Sequence, residues 1–569
     1  MTLQGQAHAG AITIAVLVTQ PSDPVPYGYD NPSSAVAPPS SHTQDGPGAR
    51  SRRWGMANKD KDRDTGTGHG ETMAESDEFG ARLAAAEELR AAGVDPYPLR
   101  AHPTHSAAQA RALLTEREGD AVTVAGRLVG NLRTMGRLAF VHLQDGSGRI
   151  QLSVPRDTIG EEGWALFGRL HAADFVQAEG ETFHTKRGEP SIRVHVLTLL
   201  AKALRPLPEA WHGLKDPEKR YRQRYLDLIV NEESRRALLL RSRLTTYIRR
   251  YLDARDYVEV ETPILQPLYG GASAQPFTTR SLVLDQDLYL RISLELYLKR
   301  LLIGGIDRVY EIGHNFRNEG LSRFHSPEYT MLEAYQAYGD YTTMMELLEG
   351  MVEGAARELL GTTRVRVGEH DIDLAAPWPR LPLIEAVQRY AGIDIRAYPD
   401  RESLYEAARG RGADVSPALS RGKLIDALVK QYVDAHLIQP THLIDYPVDL
   451  SPLAKRKPDD PEIVERFESY IGGNELANAF TELNDPLDQR ARFEAQQAER
   501  AGGDVEAQPY DEDFVTALEH GMPPAGGIGV GIDRLAMVLG GVTNIRDVIL
   551  FPQLRATRDE RDDEDRSSS

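Results

Sequence analysis

Cysteine is absent from the 569 residues. That excludes a disulfide framework and any thiolate metal site, and it fits a reducing cytosol. An excess of basic charge is also missing. The formal net charge is −19, so any contact with nucleic acid must come from local basic patches rather than from the whole surface. Long apolar runs are lacking too. Ala11 to Val18 is too short to span a bilayer and no basic residues precede it, so neither a membrane partner nor export is expected, and the expected location is cytoplasmic. Two nucleotide signatures are unfulfilled in the glycine-rich stretch Gly526 to Leu539: there is no GK[ST], and no third glycine falls where the dinucleotide fingerprint needs one.

With 41% hydrophobic and 27% charged residues, the chain can bury several cores. Residues 1–75 are rich in Gly, Ser, Pro, Asp and Thr and read as a disordered extension, with an overlong start assignment as the competing explanation. From Glu78 to Ala92, Phe79, Leu83, Ala86 and Leu89 fall on one helical stripe, and Gly93 follows as a C-cap. Short alternating stretches around Val122, Leu138 to Leu143, Ile150 to Val154, Phe175 to Glu179 and Ile192 to Leu199 predict a five-stranded Greek-key barrel with a helical break. Barrels of this kind bind unstacked bases, and Phe140, Arg149 and Gln151 are the candidates for that contact. Helix and barrel together span 76–208. A Pro-broken, basic-aromatic connector over 209–225 marks the next boundary, and Asn231 is placed to cap the long helix that follows.

A larger domain is expected over 226–555, with a helical insertion near 381–438 and an acidic disordered tail over 556–569. Its centre is Arg308 to Tyr335, RVYEIGHNFRNEGLSRFHSPEYTMLEAY, whose arms alternate like a long-looped antiparallel hairpin. In the matching register one face carries Glu311, Arg317, Tyr329, Glu333 and Tyr335. Two carboxylates, a guanidinium and two phenols are costly to bury unless something binds there. Glu295 stands among apolar neighbours, where either a bound ammonium or an intrahelical pair with Lys299 would balance it. In Glu468 to Asn484, residues Asn478, Phe480 and Glu482 share a strand face, and Glu468 and Glu475 offer oxygen ligands suited to magnesium. Arg534 emerges where the glycine-rich strand runs into a helix.

FRNEG, His325 and PEYTMLEAY resemble the second signature motif of class II aminoacyl-tRNA synthetases. With WHGLKD, RYLDLI and GGNELANAFTELND, the wording is similar to lysyl-tRNA synthetases of the bacterial type over about residues 80 to 555. The resemblance implies an α+β fold in which an OB-fold anticodon-binding barrel precedes an antiparallel-sheet catalytic domain, in a homodimer. It implies a lysine-tRNA ligase that makes lysyl-adenylate from ATP and L-lysine and passes lysine to the 3' end of tRNA(Lys). Arg317 then matches the catalytic arginine on the α-phosphate, Arg534 the arginine across the nucleotide, and Glu319, His325 and Tyr329 further ATP contacts. Glu468 and Glu475 match magnesium ligands, with about three Mg2+ ions per active site implied. Gly271 and Glu295 match α-amino contacts, Asn478 a carboxylate contact and Phe480 the wall along the lysine stem, while Glu333, Tyr335 and Glu482 match the ε-ammonium site.

Three places depart from the family's wording. Gln275 replaces an arginine, Thr279 to Leu282 reads TRSL instead of a Thr-His-His-Asn run, and Val196 replaces an anticodon-reading glutamate. Aspartyl or asparaginyl enzymes would be expected to carry basic residues where Glu333 and Glu482 stand. The other alternative is an accessory or regulatory RNA-binding paralogue, which the intact Arg317, Arg534, Glu468 and Glu475 oppose.

Overall fold

In the computed structural model, which describes residues 73–208, 214–503 and 506–556, the period-two stretches between Ala121 and Ala201 close into a barrel. Its strands are β1 (Ala121–Met135), β2 (Leu138–Gln144), β3 (Arg149–Pro155), β4 (Phe175–His184) and β5 (Pro190–Ala201), in the order β1-β2-β3-β5-β4. Closure leaves no open sheet edge, and Val124, Leu128, Leu143, Leu152, Val176 and Val194 fill the interior. The helical break is Arg156–Phe167, between β3 and β4.

The N-terminal helix runs Met73–Ala91, so it begins inside the stretch expected to be disordered, and Gly93 ends it at φ +80°. Residues 1–72 lie outside the described residues. The buried stripe differs from the expected one: Ala86 and Leu89 are covered, but Leu83 is 36% exposed and Arg82 is buried. Arg82 can go inside because its guanidinium donates to the carbonyls of Ala172 and Ala203 while pairing with Glu78. The connector is also more ordered than expected. Two short helices, Pro217–Arg222 and Arg224–Val230, occupy most of its described part and run past its end, and residues 209–213 are outside the described residues. Buried Arg224 pins them, pairing with Asp227 at 2.6 Å and donating to the carbonyls of Arg546, Ile549 and Leu550. Asn231 stands at the N-cap of helix Glu232–Asp253 without capping it, since its amide donates instead to Leu214 and Asp227.

The remaining strands are β6 (Val258–Glu259), β7 (Leu265–Gln266), β8 (Thr278–Ser281), β9 (Gln286–Leu290), β10 (Arg308–Phe316), β11 (Glu328–Ala337), β12 (Arg364–Val367), β13 (His370–Asp373), β14 (Arg380–Pro382), β15 (Thr441–Pro447), β16 (Ile463–Ile471), β17 (Asn474–Thr481) and β18 (Ala525–Gly531). The main sheet has eight strands in the order β14-β15-β16-β17-β18-β11-β10-β6. Its inner pairs are antiparallel, and only the outermost pairs, β6–β10 and β14–β15, are parallel. Helices Glu232–Asp253, Tyr341–Leu360 and Ile532–Gly540 bring Leu244, Ile248, Leu348, Val352 and Leu535 against Tyr310, Leu332, Phe467 and Ile528 of the sheet. Because side chains alternate along each strand, the polar residues between these positions project from the other face. The insertion begins as edge strand β14 and continues into helices Leu383–Ala391, Arg401–Gly410 and Arg421–Leu428, which share a core of their own. No helix among the described residues is long and apolar enough to cross a membrane.

Candidate active site

The β10–β11 hairpin pairs in the matching register: Val309 faces Tyr335, Glu311 faces Glu333 and Asn315 faces Tyr329. Glu311, Tyr329, Glu333 and Tyr335 therefore share a face as expected. Glu311, however, is already closed off. Arg291 pairs with one of its oxygens at 2.5 Å, and the Thr262 amide and hydroxyl donate to the other. Its role is to fasten the chain around Thr262 to the hairpin. Arg317 follows β10 directly, its guanidinium 5.4 Å from the centre of the Tyr329 ring and its backbone N–H on the Pro327 carbonyl. Asn315 and the Tyr329 hydroxyl are buried beside each other without hydrogen-bond partners.

Beyond Arg317 lies a second cluster. Arg534, in the first turn of helix Ile532–Gly540, donates to the Glu475 carbonyl at 2.5 Å, approaches the Glu475 carboxylate at 3.3 Å and lies 3.3 Å from His325 Nε2. Burial, then the charge of Arg534, holds the His325 imidazole below its ordinary range, which favours the neutral ring. Glu319 is exposed on the hairpin loop. Glu468 on β16 is paired with Arg466 at 2.7 Å and accepts from the Tyr470 hydroxyl at 2.8 Å. Burial, then the like charge of Glu475, raises its carboxyl, while Arg534, Arg317 and Arg466 outweigh burial and lower that of Glu475. Two carboxylates that repel each other across β16 and β17, with no nitrogen or sulfur donor offered by either strand at this point, form an oxygen donor set fitted to magnesium. No group of three or more His, Cys, Asp or Glu among the described residues forms a metal cage by itself, so water and phosphate oxygens would supply the rest of the shell.

The third cluster is a pocket with three buried carboxylates. Glu333 accepts from the Ser293 hydroxyl at 3.1 Å, the Leu294 amide at 2.9 Å and the Tyr335 hydroxyl at 3.0 Å, all neutral donors. Glu295 opens helix Glu295–Ile303, and burial pushes its carboxyl up to about 7 although Lys299 opposes the shift. Glu482, just past β17, has no exposure, and burial raises its carboxyl well above the ordinary range. Lys299 is ion-paired with Glu482 and donates to Glu295 at 2.6 Å, and its ammonium stands 5.3 Å from the centre of the Phe480 ring. Asn478 and Phe480 point the same way from β17, and Arg466 donates to the Asn478 carbonyl oxygen at 3.0 Å.

Two glycines shape this pocket. At Gly271, φ is +84° and a Cβ would come within 2.9 Å of the Ser293 hydroxyl oxygen, while its N–H donates to Gln508. At Gly527 a Cβ would fall 2.0 Å from a Glu482 oxygen and 2.4 Å from the Tyr335 ring. Gly527 leaves room for the carboxylate pocket, and Gly526 for the Asp340 carbonyl.

On the barrel, Phe140 of β2 and Arg149 and Gln151 of β3 share the outer face. Gln151 accepts from the Ser191 hydroxyl and Arg149 donates to Gln144. Val196 of β5 is 48% exposed. Of the other departures, the Gln275 carbonyl accepts the Asn318 amide of the hairpin loop, and Leu282 and Val283 stand almost fully exposed at the tip after β8.

Residue reasoning missed Arg466, Ser293, Gln508 and Asn315. Arg466 was detectable, being two positions before Glu468 on the same strand face. Ser293 stands two residues before Glu295 and Gln508 comes from a distant segment, and neither carries a charge or a spacing that marks it.

Residues 216–555 match the family model of class II tRNA synthetases (D, K and N), and residues 122–200 match that of the OB-fold nucleic acid binding domain. The chain is 54% identical over 482 residues to the lysine–tRNA ligase of Moorella thermoacetica, covering 85% of this chain and 98% of that one. The lysine–tRNA ligase of Chloroflexus aurantiacus is 51% identical (84% and 98% covered), and that of Roseiflexus sp. strain RS-1 is 52% identical (83% and 98%).

Proposed function

The chain belongs to the class II tRNA synthetase family, among the lysine–tRNA ligases, and from that premise we propose how its residues divide the reaction. The enzyme activates L-lysine with ATP to lysyl-adenylate and pyrophosphate, then transfers lysine to the 3' end of tRNA(Lys). One observation carries the assignment of the lysine pocket: Glu295, Glu333 and Glu482 are buried close together and Lys299 is paired with Glu295 and Glu482, a site that an amino acid with a second ammonium would balance.

In this reading Gly271 and Glu295 take the α-ammonium, Asn478 the carboxylate, Phe480 the aliphatic stem, and Glu333, Tyr335 and Glu482 the ε-ammonium. A neutral side chain would leave like charges buried together, which sets the specificity. Tyr329 stacks on adenine, His325 and Glu319 make further contacts to ATP, and Arg534 covers the opposite side of the nucleotide. Arg317 faces the α-phosphate, where charge grows as the lysine carboxylate attacks in line. Its guanidinium supplies fixed electrostatic stabilisation without a covalent enzyme intermediate. Glu468 and Glu475 would hold Mg2+, which neutralises and orients the phosphates when bound.

The enzyme acts in the cytoplasm as a homodimer, with exposed Val258, Ile264 and Leu265 supplying apolar surface for the contact. Pyrophosphate exchange measured with each of the twenty amino acids tests the assignment. Exchange should depend on lysine alone, and comparable exchange with aspartate or asparagine, or none with lysine, would overturn it.

A further inference from the structure

Lys299 has no part in the reaction so far. It is nonetheless fully buried, paired with two carboxylates from different elements and set beside the Phe480 ring. Burying an ammonium is expensive, and an ordinary packing position on helix Glu295–Ile303 would be filled by leucine. Its reach explains its presence. Lys299 sits one helical turn after Glu295, so both side chains leave the same helix face and arrive together at the end of β17.

The two oxygens of Glu482 are in different situations. Lys299 is against Oε2. Oε1 is buried, receives no hydrogen bond, and lies with the Tyr335 ring in the space that glycine leaves open at 527. The Tyr335 hydroxyl in turn is bonded to Glu333. The free oxygen of Glu482 thus lies on the side of Tyr335 and Glu333, and the occupied one on the side of the helix.

We propose that Lys299 is a positioning and specificity-determining residue of the lysine pocket: it holds one oxygen of Glu482, turns the other towards Tyr335 and Glu333 for the substrate's ε-ammonium, and fixes how much positive charge the pocket still accepts. The charge count supports this. Three carboxylates face one internal ammonium, which leaves room for the α- and ε-ammonium groups of one lysine, while the substrate carboxylate goes to the arginine side. A neutral amino acid leaves one buried carboxylate unmatched. The groups facing Glu482 are Lys299 and Glu295 from the helix and Glu333 and Tyr335 from β11, with Arg466 of β16 acting on Glu295. Lys299 is the positive charge in contact with Glu482, so its removal leaves that carboxyl to take up a proton.

This inference rests on the functional reading above, and the two can fail separately. If the parent chain showed exchange that did not depend on lysine, the reading would fall. The proposal itself is tested by Lys299→Met in the full chain. The KM for lysine should rise roughly tenfold or more near neutral pH while that for ATP stays within about twofold, since only lysine must meet an ionised Glu482. The defect should shrink as pH is raised from about 6.5 to about 8.5, because Glu482 then loses its proton before binding. Calorimetry in two buffers of different ionisation enthalpy should also show more proton release on lysine binding to the variant than to the parent. An unchanged lysine KM, a rise shared equally by ATP, or a defect flat across that pH range overturns the proposal. Should Lys299→Met not fold, the double variant with Glu482→Gln removes both charges and leaves no lone carboxylate beside the helix. Its lysine KM should equal that of Glu482→Gln alone, and any further rise means that Lys299 acts through something other than Glu482.

Discussion

Glu311 and Glu333 face each other across the hairpin, and their partners alone decide what each can do. Glu311 meets a guanidinium and is neutralised within the protein, whereas Glu333 receives only neutral donors, which in the proposed reading leaves it for a ligand's ammonium. Period-two reasoning put both on the right face but could not separate them, because Arg291 reaches the hairpin from another segment. The same limit applies to Lys299, whose pair with Glu295 was visible as a helical spacing while its pair with Glu482 was not. In the proposed reading Arg317 differs in kind, since its contribution would grow with the charge on phosphorus. Arg317→Ala should leave the fold intact, because the guanidinium has only a long contact of 3.5 Å to the Ile292 carbonyl and the Tyr329 ring beside it. Losing one such stabilising donor costs roughly 3 kcal/mol or more of barrier, so pyrophosphate exchange should fall by two orders of magnitude or more. Near-normal exchange in a folded variant would remove Arg317 from the chemistry.

Elements with strong periodicity were legible. Helix Tyr341–Leu360 is amphipathic and begins at Asp340, which caps it, and the β10–β11 register followed from alternation alone. Edge strand β14 was hidden in the insertion because three residues carry no period, and its parallel pairing with β15 spans the whole insertion. That region also holds a polar knot that no local pattern announces. His442 of β15 is fully buried between Ser469 of β16, at 2.8 Å, and Glu349 of helix Tyr341–Leu360, at 3.0 Å. A carboxylate only accepts, so Nε2 donates to Glu349 and Nδ1 accepts from the Ser469 hydroxyl. Glu349 already receives the Trp378 amide and lies 3.2 Å from Arg380, so little of its charge is left to hold a second imidazole proton. Burial, then the charge of Arg380, pushes His442 down to about 3. The unfolded chain binds that proton near the ordinary value of about 6.5, so between the two values unfolding takes up a proton and stability falls as pH falls. By pH 4.5 the loss from this residue should reach about 2 to 3 kcal/mol, with no slope from it above about 7. Urea unfolding of the parent and of His442→Gln at both pH values measures it: the variant should be less stable at neutral pH but lose less on acidification. Equal losses would show that the acid sensitivity lies elsewhere.

At the scale of the whole molecule, a net charge of −19 must still accommodate an RNA polyanion, so recognition depends on a few placed contacts rather than on bulk attraction. The barrel offers Phe140 for stacking and Gln151 and Arg149 for polar contact along β2 and β3. Val196 lies on the surface of the same barrel, where the family's wording places a glutamate. An apolar side chain 48% exposed there can accept no hydrogen bond from a base. The carboxylate across the ladder, Glu179, does not simply take over, because its Oε1 is held by the Gln177 amide at 3.2 Å and the ladder is irregular at that point. One polar base contact should therefore be missing. The enzyme should charge tRNA(Lys) yet tolerate substitution of one anticodon uridine, with discrimination weaker by about 1 to 3 kcal/mol. Restoring the contact with Val196→Glu should recover it, since the exposed position has room for a longer side chain and needs no repacking of the core. The comparison is between charging of the natural transcript and of transcripts altered at each anticodon uridine, by the parent and by Val196→Glu at one fixed salt concentration. Recovery at a single uridine would identify the base that β5 reads. If the variant discriminates no better than the parent, or if the parent already rejects every altered transcript several hundredfold, then Phe140, Arg149 and Gln151 read the anticodon without any help from this strand.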